Sequence, residues 1–285
     1  MEIIVQSLTE DTDVTLTAYI QEPSPDLRNV QQRPAVLVFP GGAYLMTSDR
    51  EAEPIALAYA AEGFQAFVLR YSVGERARGF RPLQEAVLAL ARIREQADQW
   101  HVIPDQVAVC GFSAGGHLAG AVGLFGEERP NAMILSYPAV DLGDASHPMT
   151  AKNPLVQSII GPGFTQADLD AYSLHKRVGS NAPPLFMWHT AGDRLVRLHH
   201  TLKLANAYAD QGLDFEYHVF QEGVHGLSLA KDITANGLQG MVESRCQSWL
   251  PLSVAWLRSV FGTPDLSSEA PRVSEEAEEF LKEGI

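Results

Sequence analysis

Short unbroken apolar runs alternate along the chain with longer amphipathic stretches. Ala35–Phe39, Gln65–Arg70, Val107–Cys110, Ala132–Leu135 and Leu185–Trp188 have the continuity of strands covered on both faces. Near the start, Ile3–Val5 reads as a strand. Val14–Ile20 sets Val14, Leu16, Ala18 and Ile20 against Thr15, Thr17 and Tyr19, a two-residue period that also predicts a strand. Phe215–Phe220 is the last strand. Leu83–Ala97 repeats apolar residues at Leu83, Val87, Leu90 and Ala97 behind Pro82, which suits the first turn of an amphipathic helix. Glu51–Glu62 closed by Gly63, Arg197–Gln211 closed by Gly212, and a last stretch bearing Trp249, Leu250, Trp256 and Leu257 read as further helices. Strands alternating with helices through short connections predict an α/β fold, with a mostly parallel sheet of about eight strands and helices on both faces.

Three segments break the alternation. Gln21–Arg33, with Pro23 and Pro25, is a polar loop. Residues 137–184 stay irregular, too long for a simple crossover and too short for a domain, which predicts a short cap over a site. Pro148, Pro154, Pro162, Pro183 and Pro184 stiffen it. Residues 1–262 therefore read as one domain and 263–285 as an acidic tail. From Pro264 onward the tail has seven acidic and two basic residues. Phe280 and Leu281, on a Glu-rich helix, leave docking on the body or on a second subunit of a homo-oligomer as open expectations.

Composition narrows the function classes. A net charge of −14 over 285 residues argues against nucleic acid and anionic membrane as partners. Cys110 and Cys246 are too few for a disulfide framework. The first residues carry no basic, signal-like segment, and no run reaches the ~18 apolar residues of a membrane span. The expectation is a cytoplasmic protein.

The chemistry centres on Gly111-Phe-Ser-Ala-Gly115. The bare G-x-S-x-G spacing is weak, but here a buried strand precedes it and a small-residue helix (Gly116, Ala119, Gly120, Gly123) follows. A sharp strand-to-helix turn would push the Ser113 hydroxyl out above the sheet. Active sites of open parallel sheets lie at the C-terminal strand ends. There the Leu185 strand runs into His189-Thr-Ala-Gly-Asp193, and the Phe215 strand into Gln221-Glu-Gly-Val-His225-Gly.

The order Ser, Asp, His on loops at one sheet edge resembles the α/β-hydrolase superfamily over residues from about 13 to 260. Pro-Gly-Gly-Ala-Tyr at 40–44 stands where esterases carry His-Gly-Gly-Gly. With Gly-Phe-Ser-Ala-Gly-Gly-His at 111–117, Trp-His-Thr-Ala-Gly-Asp at 188–193 and Val-His-Gly at 224–226, it is similar to small acetyl-esterase and feruloyl-esterase-like enzymes. The resemblance implies Ser113 as nucleophile, His225 as base and Asp193 as orienting acid. It also implies the backbone N–H groups of Gly42, Ala43 and Ala114 as an oxyanion hole. Physically, a serine hydroxyl needs an imidazole to take its proton, and the imidazole needs a carboxylate to fix its tautomer. Pro40 and Ala43 depart from the esterase loop. Backbone donors tolerate alanine at 43 if its φ stays negative.

Asp141, after the Ala132 strand, is the rival acid. Tyr44, beside the oxyanion donors, is a candidate for lining the substrate pocket. His117 and Trp188 read as packing residues, and Arg70, at the active edge of its strand, as half of a structural ion pair or as a substrate contact. His189, His199 and His200 lack paired metal-ligand spacing and read as surface or supporting histidines. The expectation is a serine esterase for short acyl groups, with no metal or organic cofactor and acetylated carbohydrates as a first substrate guess. A peptidase or amidase of the same fold, and a non-catalytic binding protein, are the alternatives.

Overall fold

The computed structural model describes residues 1–10, 13–144, 154–264 and 266. Eight strands form one sheet: β1 (Glu2–Ser7), β2 (Thr15–Ile20), β3 (Arg33–Phe39), β4 (Gln65–Arg70), β5 (Val102–Phe112), β6 (Ala132–Ser136), β7 (Leu185–Thr190) and β8 (Phe215–Phe220). Their spatial order is β1-β2-β4-β3-β5-β6-β7-β8. The β1–β2 and β2–β4 pairs are antiparallel and the rest parallel.

The unbroken apolar runs are explained by two cores. In β3, Ala35, Leu37 and Phe39 face one cluster while Val36 and Val38 face the other. In β5, Val107 and Val109 oppose Ala108, Cys110 and Phe112 in the same way. The first core is closed by α2 (Arg81–Glu95), α3 (Ala114–Phe125) and α6 (His199–Asp210), the second by α1 (Glu53–Ala61) and α7 (Trp249–Phe261). The stretch expected as one helix from Glu51 is instead a 3₁₀ turn, Asp49–Glu51, followed by α1 with its proline in the first turn.

Among its described residues, segment 137–184 contains two short α-helices, α4 (Pro154–Ile159) and α5 (Gln166–Tyr172). The second opens on a reciprocal cap between Thr165 and Asp168, which satisfies end N–H groups that a short helix leaves bare. Val140, Leu142, Val156, Ile159, Leu169 and Leu174 belong to the core under α2 and α3. Pro148 and the tail helix with Phe280 and Leu281 lie outside the described residues.

His117, on α3, ties this segment down. Its Nε2 donates to Tyr172 O at 2.8 Å and its Nδ1 accepts from the Tyr44 hydroxyl at 2.9 Å. Burial pushes this imidazole down to about 4, against a weaker upward pull from the Tyr172 carbonyl. Between about pH 4 and 6.5 the unfolded chain therefore binds more protons than the folded one, so stability rises with pH there. As pH falls through that window, roughly 3 kcal/mol should be lost. Thermal unfolding scans should show that limb, and His117→Asn should flatten it. An undiminished slope in the variant would place the loss at another group.

Candidate active site

Ser113 sits at the turn from β5 into α3 with φ 52° and ψ −115°. That left-handed conformation costs a non-glycine residue on the order of 1–3 kcal/mol. The fold supports it on both sides. Ser113 N–H donates to Ser136 O at 3.0 Å, and Ser113 O accepts from His117 N–H at 2.9 Å. Glycine is required next to it: a Cβ on Gly111 would lie 2.1 Å from Gly115 O, and one on Gly115 would lie 2.0 Å from Phe39 O. The turn can be this tight only with bare backbone at both positions.

The Ser113 hydroxyl lies 2.8 Å from His225 Nε2, on the loop after β8. His225 Nδ1 is 2.6 Å from Asp193 Oδ2, on the loop after β7. A carboxylate accepts, so Nδ1 carries the proton and Nε2 presents its lone pair to the serine. Asp193 is fully buried at its side chain. Its Oδ1 accepts from Leu195 N–H at 2.8 Å and Val196 N–H at 3.0 Å. Burial alone would push its carboxyl up. Hydrogen bonds to His189 and His225 outweigh burial and hold it well below the usual carboxylate range. His189, itself buried, donates from Nε2 to Val196 O at 2.8 Å and lies 3.2 Å from Asp193 Oδ2. It is a second imidazole on the same carboxylate.

The glycine loop after β3 lies beside the serine. Gly42 has φ 131° and Ala43 φ 55°, so the negative φ under which an alanine fits without strain at 43 is not met. The loop turns back on itself to let Leu45 N–H and Met46 N–H both reach Gly42 O, at 2.9 and 3.2 Å. A left-handed alanine costs about 1–2 kcal/mol. Among the described residues, none accepts from the N–H groups of Gly42, Ala43 or Ala114.

Tyr44 does not line a pocket. It also has positive φ, 57°, and two left-handed residues in succession swing its ring inward. It is fully buried against Tyr71, Phe80 and His117. The next two side chains, Leu45 and Met46, are the exposed ones, at 54% and 56%. Leu195 on the loop after β7 and Val224 on the loop after β8 are exposed too. An open depression of about 730 Å³ beside His225 is lined by Gly192, Arg194, Leu195, Glu222 and Val224 among others. A more enclosed hollow of about 360 Å³ lies at the far end of the strands. There Arg33 and Arg258 donate to Gly63 O and Glu62 O, which caps the carbonyl end of α1.

The remaining candidates have structural partners. Asp141 is bound to Lys203 Nζ at 2.5 Å and accepts from Gly143 N–H at 2.9 Å. Trp188 is fully buried, stacked on Trp249, with its indole N–H on Ser136 Oγ. Arg70 pairs with Asp49 at 2.7 Å. Asp144, His199 and His200 bring three potential ligand atoms within 4.8 Å of one another. They suit a cation poorly. His200 Nδ1 accepts from the N–H groups of Val140 and Asp141, both at 3.2 Å, so its proton sits on Nε2, the nitrogen that would have to bind the ion.

Sequence reasoning missed Glu51 and Tyr137. Glu51 is 4% exposed, and its two oxygens accept from Gly41 N–H and the Tyr137 hydroxyl. The Tyr137 ring packs against His225 at 5.1 Å. An acid just before a helical stretch ordinarily faces solvent, so the sequence held no signal for its burial.

A mostly parallel eight-stranded sheet with a serine, an imidazole and a carboxylate in line at its C-terminal edge defines an α/β-hydrolase. Within that class, the profile of the BD-FAE family matches residues 24–208, and the chain belongs to that family. It is 31% identical over 225 residues to endo-1,4-beta-xylanase B of Butyrivibrio fibrisolvens, an alignment covering 73% of this chain and 35% of that protein. It is 27% identical to the acetylxylan esterase of Xylanibacter ruminicola, over 77% of this chain and 45% of that one. The chain thus spans less than half the length of either relative. The crystal structure of MGS-M1, an alpha/beta hydrolase enzyme from a Medee basin deep-sea metagenome library, superposes with a TM-score of 0.80 at 41% identity. That match covers 92% of this chain and 99% of MGS-M1.

Proposed function

We propose that the chain is a serine carboxylic ester hydrolase for short acyl groups, acetyl first, with acetylated carbohydrate as its natural substrate. The observation that carries the reading is the continuous line from Ser113 Oγ through His225 to Asp193, with contacts of 2.8 and 2.6 Å. Ser113 Oγ attacks the acyl carbon as its proton passes to His225 Nε2. The carbonyl oxygen becomes an oxyanion within reach of the Gly42, Ala43 and Ala114 N–H groups, each such donor worth about 3–4 kcal/mol. His225 returns the proton to the leaving alcohol. Water then gives a proton to His225 and attacks the acyl-serine, and collapse frees the acid and restores the Ser113 hydroxyl. Asp193 stabilises the imidazolium at both stages.

The likeness to an acetylxylan esterase supports the carbohydrate half of the proposal. The exposed Leu45, Met46, Leu195 and Val224 supply apolar surface on three of the loops around the serine, suited to the acyl group or the alcohol. The small-molecule ester is the partner. A net charge of −14 disfavours nucleic acid and anionic membrane. Among the described residues no helix is long and apolar enough to cross a membrane. We place the protein in the cytoplasm, a reading supported by two buried, unbridged cysteines.

Acyl length is the test. An acyl chain gains about 0.8 kcal/mol per buried CH₂ only while there is apolar wall to cover it, and beyond Leu45, Met46, Leu195 and Val224 the depression beside His225 is open. On aryl esters kcat/KM should peak at acetyl or propionyl and fall at least about tenfold by octanoyl. A steady rise through octanoyl would point to a lipase-like groove and sink the short-acyl assignment.

A further inference from the structure

Within that reading of the site, we propose that Glu51 is a positioning residue that holds the oxyanion loop and the base loop in register. The argument begins with the peptide planes of residues 40–43. Tyr71 OH donates to Pro40 O and Gly41 N–H donates to Glu51 Oε2 at 2.9 Å, which fixes the first plane from both sides. Gly41 O accepts from Ser48 N–H at 2.9 Å, and Gly42 O accepts from Leu45 and Met46 N–H. In a trans peptide the N–H points opposite its C=O. Anchoring these two carbonyls therefore aims the N–H groups of Gly42 and Ala43 away from the loop's own interior. Glu51 supplies the side-chain anchor at the start of this series, and its backbone N–H donates to Ser48 O at 3.2 Å, tying it to the residue that anchors the second plane.

The other carboxylate oxygen reaches the base loop. Tyr137 OH donates to Glu51 Oε1 at 2.7 Å and accepts from Ser228 N–H at 2.9 Å. Ser228 lies three residues beyond His225. The preceding residue, Arg50, closes the same clamp: its Nη2 donates to Gly226 O at 2.9 Å, and its carbonyl accepts from Ser228 Oγ. Burial, followed by the nearby Glu51 charge, pushes the Tyr137 hydroxyl up, so Tyr137 remains a proton donor to Glu51.

Room is as tight as the bonding. A Cβ placed on Gly41 would lie 2.7 Å from Glu51 Oε2 and 3.1 Å from Ser113 Cβ. The carboxylate therefore sits directly behind the peptide that separates it from the nucleophile. A carboxylate with two acceptor oxygens fits this place because one group must receive an N–H on one side and an O–H on the other. A glutamine cannot do both: its amide NH₂ would have to face either Gly41 N–H or a tyrosine oxygen that already accepts from Ser228.

The test compares Glu51→Gln, Tyr137→Phe and Glu85→Gln with the wild type on an aryl acetate, with thermal unfolding and fluorophosphonate labelling of Ser113 recorded for each. Glu85 is a buried carboxylate that accepts from Ser72 N–H and Oγ, and serves as the control for burial as such. Glu51→Gln should lower kcat at least about tenfold with KM within about threefold, the split expected when transition-state stabilisation is lost. Tyr137→Phe should lower kcat by about threefold or more, again with KM held. Glu85→Gln should move the unfolding midpoint and leave kcat unchanged. A folded Glu51→Gln enzyme with wild-type kcat would overturn the proposal. So would wild-type kcat in Tyr137→Phe if Glu51→Gln does not fold, and so would a kcat loss in Glu85→Gln matching that of Glu51→Gln. A wild-type protein that turns over the ester without labelling at Ser113 would instead refute the underlying serine-hydrolase reading.

Discussion

Ser113→Ala should lower kcat on a simple aryl acetate by about 10⁶, the scale on which loss of a serine nucleophile disables a triad. The unfolding midpoint should stay close to the wild-type value. Among the described residues the hydroxyl bonds to His225 alone, while the backbone bonds to Ser136 and His117 survive the substitution. Any residual rate would come from the oxyanion donors and substrate binding alone. Steady-state assays with enzyme concentrations high enough to see a millionfold loss would check this. Wild-type turnover in the variant would remove Ser113 from the chemistry.

The acid carries the second largest expected effect. Asp193→Asn should cost about 10⁴ in kcat. An asparagine can present its amide N–H to His225 Nδ1, which forces the ring proton onto Nε2, where it faces the serine hydroxyl instead of accepting from it. Asp141→Asn should cost less than about tenfold, because Asp141 is engaged with Lys203 and Gly143. Its effect should be on stability, since the Lys203 ion pair holds together α6 and the start of segment 137–184. The reverse ranking would move the acid to the loop after β6. Asp193 also contributes to stability: held below its ordinary range, its share is in place above about pH 4 and is lost as pH falls further.

The strands were legible because each central one faces two cores and must be apolar throughout, as Val107–Cys110 illustrates. The positions of Ser113, Asp193 and His225 were legible because each lies on a loop after a strand the pattern had placed, β5, β7 and β8, and such loops open at the C-terminal edge of a parallel sheet. The direction of Tyr44 was not legible. It depends on two consecutive positive φ angles at Ala43 and Tyr44, which neither residue type announces. Glu51 was hidden because the pattern assigns an acid near a helix start to solvent, while its burial depends on the loop at Gly41, 10 residues earlier, and on Tyr137, 86 residues later. Helices α4 and α5 are too short for an apolar period to show, so their segment read as irregular. The second imidazole on Asp193 could have been suspected from His189 four residues earlier, but only the tight turn between them brings the two side chains together.

Covalent capture tests the central claim most directly. After treatment with a fluorophosphonate, peptide mass spectrometry should find a single stoichiometric adduct on Ser113, with ester hydrolysis falling in step with labelling. The Asp193→Asn variant should acquire the adduct far more slowly. Full hydrolytic activity in protein whose Ser113 is completely modified, or complete inactivation with Ser113 unmodified, would contradict the account.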